Sequence, residues 1–290
     1  MNSHICMKAP AKINIHLDIH DKRSDGFHEL TSIFQKVNLF DTIDMTIHPS
    51  REFLCKIDDG SEIPVKSNTM YQACRRFCIA THINLDIDIR CDKQIPVTAG
   101  LGGGSSDAAS VLMGLQSLTG HPLAVESLFE IGAEVGSDVP FFLGGPASLV
   151  TGRGECLKEL SPREDLKGVI VLPAFGVSTP IAFSLLDELR ANGQGAERSL
   201  NGSELERMYQ SPVRSWKFFN SFTPVLNERH PQYREMERIL DESGFDSILI
   251  SGSGSSLVAL TDDAILSEKL FKDIRSIPNV KVIPIKVLAD

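Results

Sequence analysis

The chain has 290 residues, 42% of them hydrophobic and 23% charged, with a formal net charge of −9. This is the composition of a globular chain of roughly two domains, and it excludes a disordered or collagen-like one. No apolar run approaches the ~20 residues of a membrane helix, the first ten residues lack a signal-peptide core, and the acidic balance argues against general nucleic-acid or membrane binding. The six cysteines (Cys6, Cys55, Cys74, Cys78, Cys91, Cys156) form no CxxC pair. They read as reduced thiols in a cytoplasmic protein rather than as a disulfide framework or a structural zinc site.

Taken in chain order, Ile13, Ile15, Leu17 and Ile19 alternate with Lys12, Asn14, His16, Asp18 and His20. A period of two predicts a strand over 12–20 with one buried face and with Lys12 and Asn14 on its polar face, closed by the turn Arg23-Ser24-Asp25-Gly26. Asn68–Thr81 reads as a helix carrying Met70, Ala73, Cys74 and Phe77 on one stripe. Leu85–Cys91 alternates as a second strand, and two antiparallel-looking strands this early favour an α+β fold over a doubly wound one. Further helices are predicted at Ser105–Leu118, Leu123–Val135, from Pro231 to Gly244, and at 264–274, with buried strands at Val169–Leu172 and Ile248–Ile250. Arg190–Glu204, poor in apolar residues, reads as a mobile loop. The polar stretch Cys156–Lys167 is where a domain boundary is expected.

The strongest local signal is Pro96–Ala109, with Gly100, Gly102, Gly103 and Gly104 between a strand pattern and a helix pattern. Glycines allow positive φ and let backbone N–H groups approach an anion, and Ser105 and Ser106 then open a helix whose free N–H groups favour phosphate. The loop is not a Walker A sequence, since no lysine follows Gly104. It is not a dinucleotide fingerprint, since Asp107 stands where Gly or Ala is needed. Any cation over the phosphates comes from elsewhere in the chain, and Lys12 is the candidate. Gly136-Ser137-Asp138-Val139-Pro140 sets an aspartate against an apolar run. Partial desolvation there raises a carboxyl pKa, a nearby lysine lowers it, and such a group can accept a proton from a hydroxyl. The same position also suits a helix-capping or turn aspartate.

Three motifs occur together: Pro10-Ala11-Lys12-Ile13-Asn14, the loop Leu101-Gly102-Gly103-Gly104-Ser105-Ser106, and Ile250-Ser251-Gly252-Ser253-Gly254-Ser255-Ser256. In that order they resemble the three motifs of the GHMP kinase superfamily, over most of the chain. Asp25-Gly26-Phe27-His28-Glu29, Gly136–Pro140 and Gly176-Val177-Ser178-Thr179 narrow the resemblance. They point to members that phosphorylate the 2-hydroxyl of a methylerythritol carrying a cytidine diphosphate, in non-mevalonate isoprenoid synthesis.

The resemblance implies an N-terminal ribosomal-S5-like α+β domain holding ATP (1–160) and a C-terminal α+β domain (161–290), with substrate between them. It implies Lys12 and Asp138 as the catalytic pair, Asp138 taking the hydroxyl proton and Lys12 stabilising the developing charge. Pro96, Gly100, Leu101, Gly102, Gly103, Gly104, Ser105 and Ser106 match the ATP loop, and Asn68 and Lys93 match positions lining the adenine pocket; Asn68 reads equally as a helix cap. Asn14 and His28 match positions that meet the cytidine diphosphate. Phe27 and Phe183 match an aromatic pair around cytosine, and Thr179 lies beside the substrate. Gly252, Ser253 and Gly254 form the third motif, expected to brace the phosphate loop and the substrate diphosphate through backbone N–H groups. Mg²⁺ is implied by ATP chemistry, with Ser106 as a candidate ligand. Phe27 stands where the family more often has tyrosine, and Ser253 where it often has threonine. The competing readings are another alcohol kinase of the same fold (homoserine or mevalonate type) and a non-catalytic nucleotide sensor. A metal hydrolase is disfavoured because His16 and His20 lie too far apart on one strand for one small ion.

Overall fold

The computed structural model describes residues 3–193, 200–263 and 279–289. These form two compact units that interleave along the chain. One takes the described residues of Met1–Ala11, Leu39–Val97 and Gly102–Gly145, and the other those of Lys12–Asn38, Thr98–Leu101 and Pro146–Asp290. Interleaving follows from two long strands, β1 (His4–Lys22) and β2 (His28–Pro49), which pair with each other and each supply residues to both units.

In the first unit, the end of β2 pairs antiparallel with β4 (Leu85–Asp92), and β3 (Leu54–Asp58) adds to β4 in parallel. The alternation is realised in β4, where Leu85, Ile87, Ile89 and Cys91 are buried. Helix α1 (Thr69–Thr81) buries the expected Met70, Ala73, Cys74 and Phe77. It packs on α2 (Gly103–Leu118), and α3 (Val125–Val135) and the short α4 (Val139–Leu143) complete the layer. A Cβ on Gly114 of α2 would lie 2.7 Å from the terminal carbons of Met7 and Met45, so this mid-helix glycine lets α2 sit close on β1 and β2.

In the second unit, the start of β2 pairs with β5 (Ala147–Thr151), which pairs with β6 (Cys156–Glu159). A second sheet has β7 (Lys167–Pro173) next to α5 (Thr179–Ala191) in sequence, then α6 (Gly202–Tyr209), α7 (Thr223–Arg229), α8 (Gln232–Glu242), β8 (Ser247–Ile250), β9 (Leu257–Thr261) and β10 (Val280–Lys286). Its strand order is β10-β7-β9-β8, all antiparallel. Leu17, Ile19, Val169, Val171, Phe222, Tyr233 and Leu240 share its core.

The α+β class is as expected, but several details differ. β1 is buried on both faces from Ala11 to Ile19, because its polar alternates are covered as well as its apolar ones. Arg190–Glu204 is not a continuous loop. Helix α5 runs to Ala191, and Asn201 with Glu204 forms a capping box that starts α6. The predicted helix at 264–274 lies outside the described residues, as do 194–199. The boundary stretch opens with β6, so its first residues are paired strand. All six cysteines are free thiols.

Among the covered polar groups of β1, His16 is 1% exposed, and its Nε2 has no hydrogen-bond partner. Burial, with a smaller contribution from His20, lowers its pKa to about 4. Unfolded, the imidazole takes its proton near the ordinary value of about 6.5. Between those values the unfolded chain binds more protons, so stability falls as pH drops from 6.5 towards 4. This one group should remove about 3 kcal/mol of stability over that window. Urea denaturation at pH 7 and pH 4 should show a loss smaller by that amount in His16→Asn; equal losses in the two proteins would contradict the assignment.

Candidate active site

The first unit supplies a helix N-terminus and a carboxylate. Gly102 has φ +71° and turns the chain into α2, whose first turn carries no acidic residue and no side-chain cap. Its opening N–H groups, on Gly103, Gly104 and Ser105, therefore remain available as anion donors. Thr69 at the start of α1 donates from Oγ1 to the Gly104 carbonyl at 2.7 Å, which ties the turn to the neighbouring helix. Pro96 is half-buried ahead of the loop. Ser106 is fully buried, with a hydroxyl that has no hydrogen-bond partner.

The same unit brings the Asp138 segment to this helix end. A Cβ on Gly136 would lie 3.8 Å from Ser105 Oγ, so Gly136, two residues before Asp138, stands beside the first turn of α2. Asp138 precedes α4 without capping it, and it is half-buried while Val139, Pro140, Phe141 and Phe142 are buried. The wedge expected from the sequence is thus only partly closed around the carboxylate; Asp138 stands in a turn, as one alternative had it, but does not cap the helix.

The two residues expected around adenine have other partners. Asn68 caps α1, accepting from the Met70 N–H at 2.9 Å and donating to Asp59 at 2.8 Å. Lys93 is held between the carboxylates of Asp41 and Asp107. Burial works against its ammonium, but Asp107 and Asp41 outweigh that and raise its pKa. Burial raises the Asp107 carboxyl to about 7, against the opposing pull of Lys93.

The second unit gathers the remaining residues into two groups. In the first, Lys12 is 4% exposed and donates to Asn14 Oδ1 at 2.6 Å, with its ammonium 4.2 Å from the centre of the Phe34 ring. Sharing one face of β1 makes this pairing possible, as the alternation predicted. The Lys12 N–H donates to the Leu101 carbonyl at 3.0 Å, Asn14 Nδ2 donates to Ser32 at 2.9 Å, and the Asn14 N–H donates to Ser251 Oγ at 3.2 Å. The third glycine motif joins here. Ser251 donates to the Gly100 carbonyl at 2.9 Å and Ser256 to the Ala99 carbonyl at 2.6 Å. A Cβ on Gly100, at φ +75°, would stand 2.0 Å from the Ser251 carbonyl oxygen, so only glycine fits. The bracing of residues 99–100 runs through these two hydroxyls and through one backbone N–H, that of Ser256, which donates to the Ala99 carbonyl at 3.4 Å. Asn220 fixes the motif by donating to the carbonyls of Ile250 and Gly252, both at 2.7 Å.

The second group lines one face of α5. Thr179 Oγ1 lies 2.7 Å from Ser253 Oγ, Phe183 stacks on the His28 ring at 5.0 Å, and His28 Nε2 lies 2.8 Å from Asp187 Oδ1. Phe27 is 52% exposed, with the Arg153 guanidinium 4.9 Å from its ring centre. Phe183 meets His28 and Phe222 and does not meet Phe27, so the two phenylalanines do not close on each other. Sequence reading missed Asp187, although Thr179, Phe183 and Asp187 repeat every four residues and fall on one helix face. It also missed Asn220, which no local pattern marks, and Asp41, which continues inward the register of Ile43, Met45 and Ile47.

Residues 68–146 match the model of the GHMP kinases N terminal domain. With the α+β fold and the glycine loop, this defines the chain as a GHMP kinase. The chain is 37% identical over 274 residues to 4-diphosphocytidyl-2-C-methyl-D-erythritol kinase of Solibacter usitatus, covering 90% of this chain and 82% of the relative. It is 34% identical to the same enzyme of Brevibacillus brevis, over 93% and 92% of the two chains. A crystal structure of 4-(cytidine 5'-diphospho)-2C-methyl-D-erythritol kinase superposes with a TM-score of 0.78 at 27% identity, covering 98% of this chain and 99% of that one. Homoserine kinase from Cytophaga hutchinsonii shares the fold, with a TM-score of 0.77 at 18% identity over 99% and 95% of the chains. The chain belongs to the 4-diphosphocytidyl-2-C-methyl-D-erythritol kinase family.

Proposed function

We propose that the protein transfers the terminal phosphoryl group of ATP to the 2-hydroxyl of 4-diphosphocytidyl-2-C-methyl-D-erythritol, in non-mevalonate isoprenoid synthesis. The observation that carries the reading is that the Lys12 N–H, Ser251 and Ser256 hold residues 99–101 of the glycine loop, while Asn14 ties Ser251 to the Lys12 ammonium. Phosphoryl transfer needs alignment and charge stabilisation more than covalent chemistry, and a buried ammonium fixed on Asn14, in a residue whose own N–H holds Leu101 of that loop, supplies both. Asp138 accepts the hydroxyl proton, while Lys12 holds that oxygen and stabilises its developing negative charge. Gly100, Leu101, Gly102, Gly103, Gly104 and Ser105 cradle the phosphates, with Pro96 and Asn68 nearer the base. Asn14, His28, Thr179, Phe27 and Phe183 take the cytidine diphosphate. On this reading residues 1–160 chiefly serve ATP and residues 161–290 face the substrate, and the free thiols suit a cytoplasmic setting.

The orphaned Ser106 hydroxyl fits a group that arrives with the nucleotide, and it would hold Mg²⁺. When bound, that ion supplies charge neutralisation across the phosphates.

An assay of ATP turnover against the cytidyl alcohol, homoserine and mevalonate tests the reading. Turnover with the cytidyl alcohol alone is expected. Preference for either of the others would replace it with another alcohol kinase of this fold, and absence of any turnover with ATP bound would leave a nucleotide sensor. Phe183→Ala is expected to raise KM for the cytidyl substrate by about tenfold, since stacking on a base is worth ~1–3 kcal/mol, and to leave KM for ATP nearly unchanged. Equal losses for both would remove the separate base site.

A further inference from the structure

A buried charge cluster lies under the first turn of α2, and the chemistry above does not use it. Asp41, from β2, is fully buried. Its Oδ1 accepts the N–H groups of Gln94 (2.5 Å) and Ile95 (2.8 Å), and its Oδ2 accepts from Lys93. The Lys93 ammonium also donates to Asp107, which is 2% exposed on α2 and has Oδ1 without a partner. Directly against this cluster sits Gly103. A Cβ there would lie 3.0 Å from Ile95 Cγ2 and 3.5 Å from Lys93 Nζ. The residue that opens the phosphate-binding turn thus rests on the very segment whose amides and lysine Asp41 holds.

Two buried carboxylates on one ammonium are a poor source of stability, because desolvation consumes most of the attraction. Their directional hydrogen bonds do fix geometry. Those bonds tie three elements together at one point: β2, the turn after β4, and α2. We propose that Asp41 and Asp107 are positioning residues that act through Lys93 to hold the N–H groups of Gly103 and Gly104 where they receive a nucleotide phosphate. Lys93 is then a pivot beneath the loop rather than part of an adenine pocket. The inference rests on the loop binding ATP, as in the proposed function.

The test uses the full-length chain and calorimetric binding of ATP, which requires no alcohol substrate. Asp107→Asn keeps the shape and removes the charge, and it should raise the ATP dissociation constant about tenfold. It should weaken GTP by the same factor, since phosphate positioning is blind to the base. The KM for the cytidyl alcohol should stay within about threefold, and the melting temperature should change little, which separates a local loss at the phosphate turn from a general loss of folding stability. Lys93→Met should weaken ATP at least as much, and the double variant should bind no worse than Lys93→Met alone, because both changes break one unit. Should Lys93→Met fail to fold, Asp41→Asn takes its place in the cycle. Unchanged ATP affinity in Asp107→Asn, a loss for ATP but not GTP, or additive effects in the double variant would each overturn the proposal. If wild type binds ATP but does not phosphorylate the cytidyl alcohol, the proposed function fails while this inference stands.

Discussion

Replacing Asp138 by asparagine should lower kcat by roughly 10²–10⁴ while the melting temperature and the KM for ATP change little. The amide keeps the size of the side chain but cannot take a proton from an alcohol. Asp138 is half-buried and does not cap α4, so the helix loses no cap in the variant. The carboxylate follows Gly136, which runs past Ser105 on the first turn of α2. On the proposed reading, a base in this segment serves an acceptor hydroxyl next to the transferred phosphoryl group. Steady-state rates with saturating ATP and cytidyl alcohol check the expectation, and full activity in Asp138→Asn would return the protein to the nucleotide-sensor reading.

Lys12→Met should have a comparable effect, lowering kcat by roughly 10²–10³ with a much smaller change in ATP affinity. Methionine fills the same buried space without the charge, which separates loss of the ammonium from loss of packing. The ammonium is pre-positioned by Asn14 Oδ1 at 2.6 Å and by the Phe34 face at 4.2 Å, inside a strand covered on both sides. A donor held this way needs no reorganisation when charge develops on the reacting oxygen, which is why electrostatic stabilisation of this kind dominates many enzymes. Unchanged turnover in the variant would remove Lys12 from the chemistry.

The sequence made much of this readable, though unevenly. Period-two alternation located the cores of β1 and β4, and the stripe Met70, Ala73, Cys74, Phe77 located α1, because each has one apolar face. It could not show that His16 and Asp18 of β1 are also buried, since covering a polar face is a property of tertiary packing. The first half of β2 was unreadable because residues 32–37 are all buried, including Ser32, Gln35 and Lys36, and a strand enclosed on both sides loses its alternation. Its second half does alternate, at Ile43, Met45 and Ile47, and was overlooked. The motif residues announced themselves by type and order. Their partners mostly did not: Ser251 meets Gly100 across 151 positions, and Lys93 meets Asp41 across 52. Asp187 was the exception, legible in principle from its spacing to Phe183.

The most direct test is a crystal structure of the protein with a non-hydrolysable ATP analogue and the cytidyl alcohol. The account expects Lys12 Nζ and an Asp138 carboxylate oxygen both within about 3.2 Å of the 2-hydroxyl oxygen, with the terminal phosphorus in line beyond it. A 2-hydroxyl that meets only one of these groups, or neither, would contradict it.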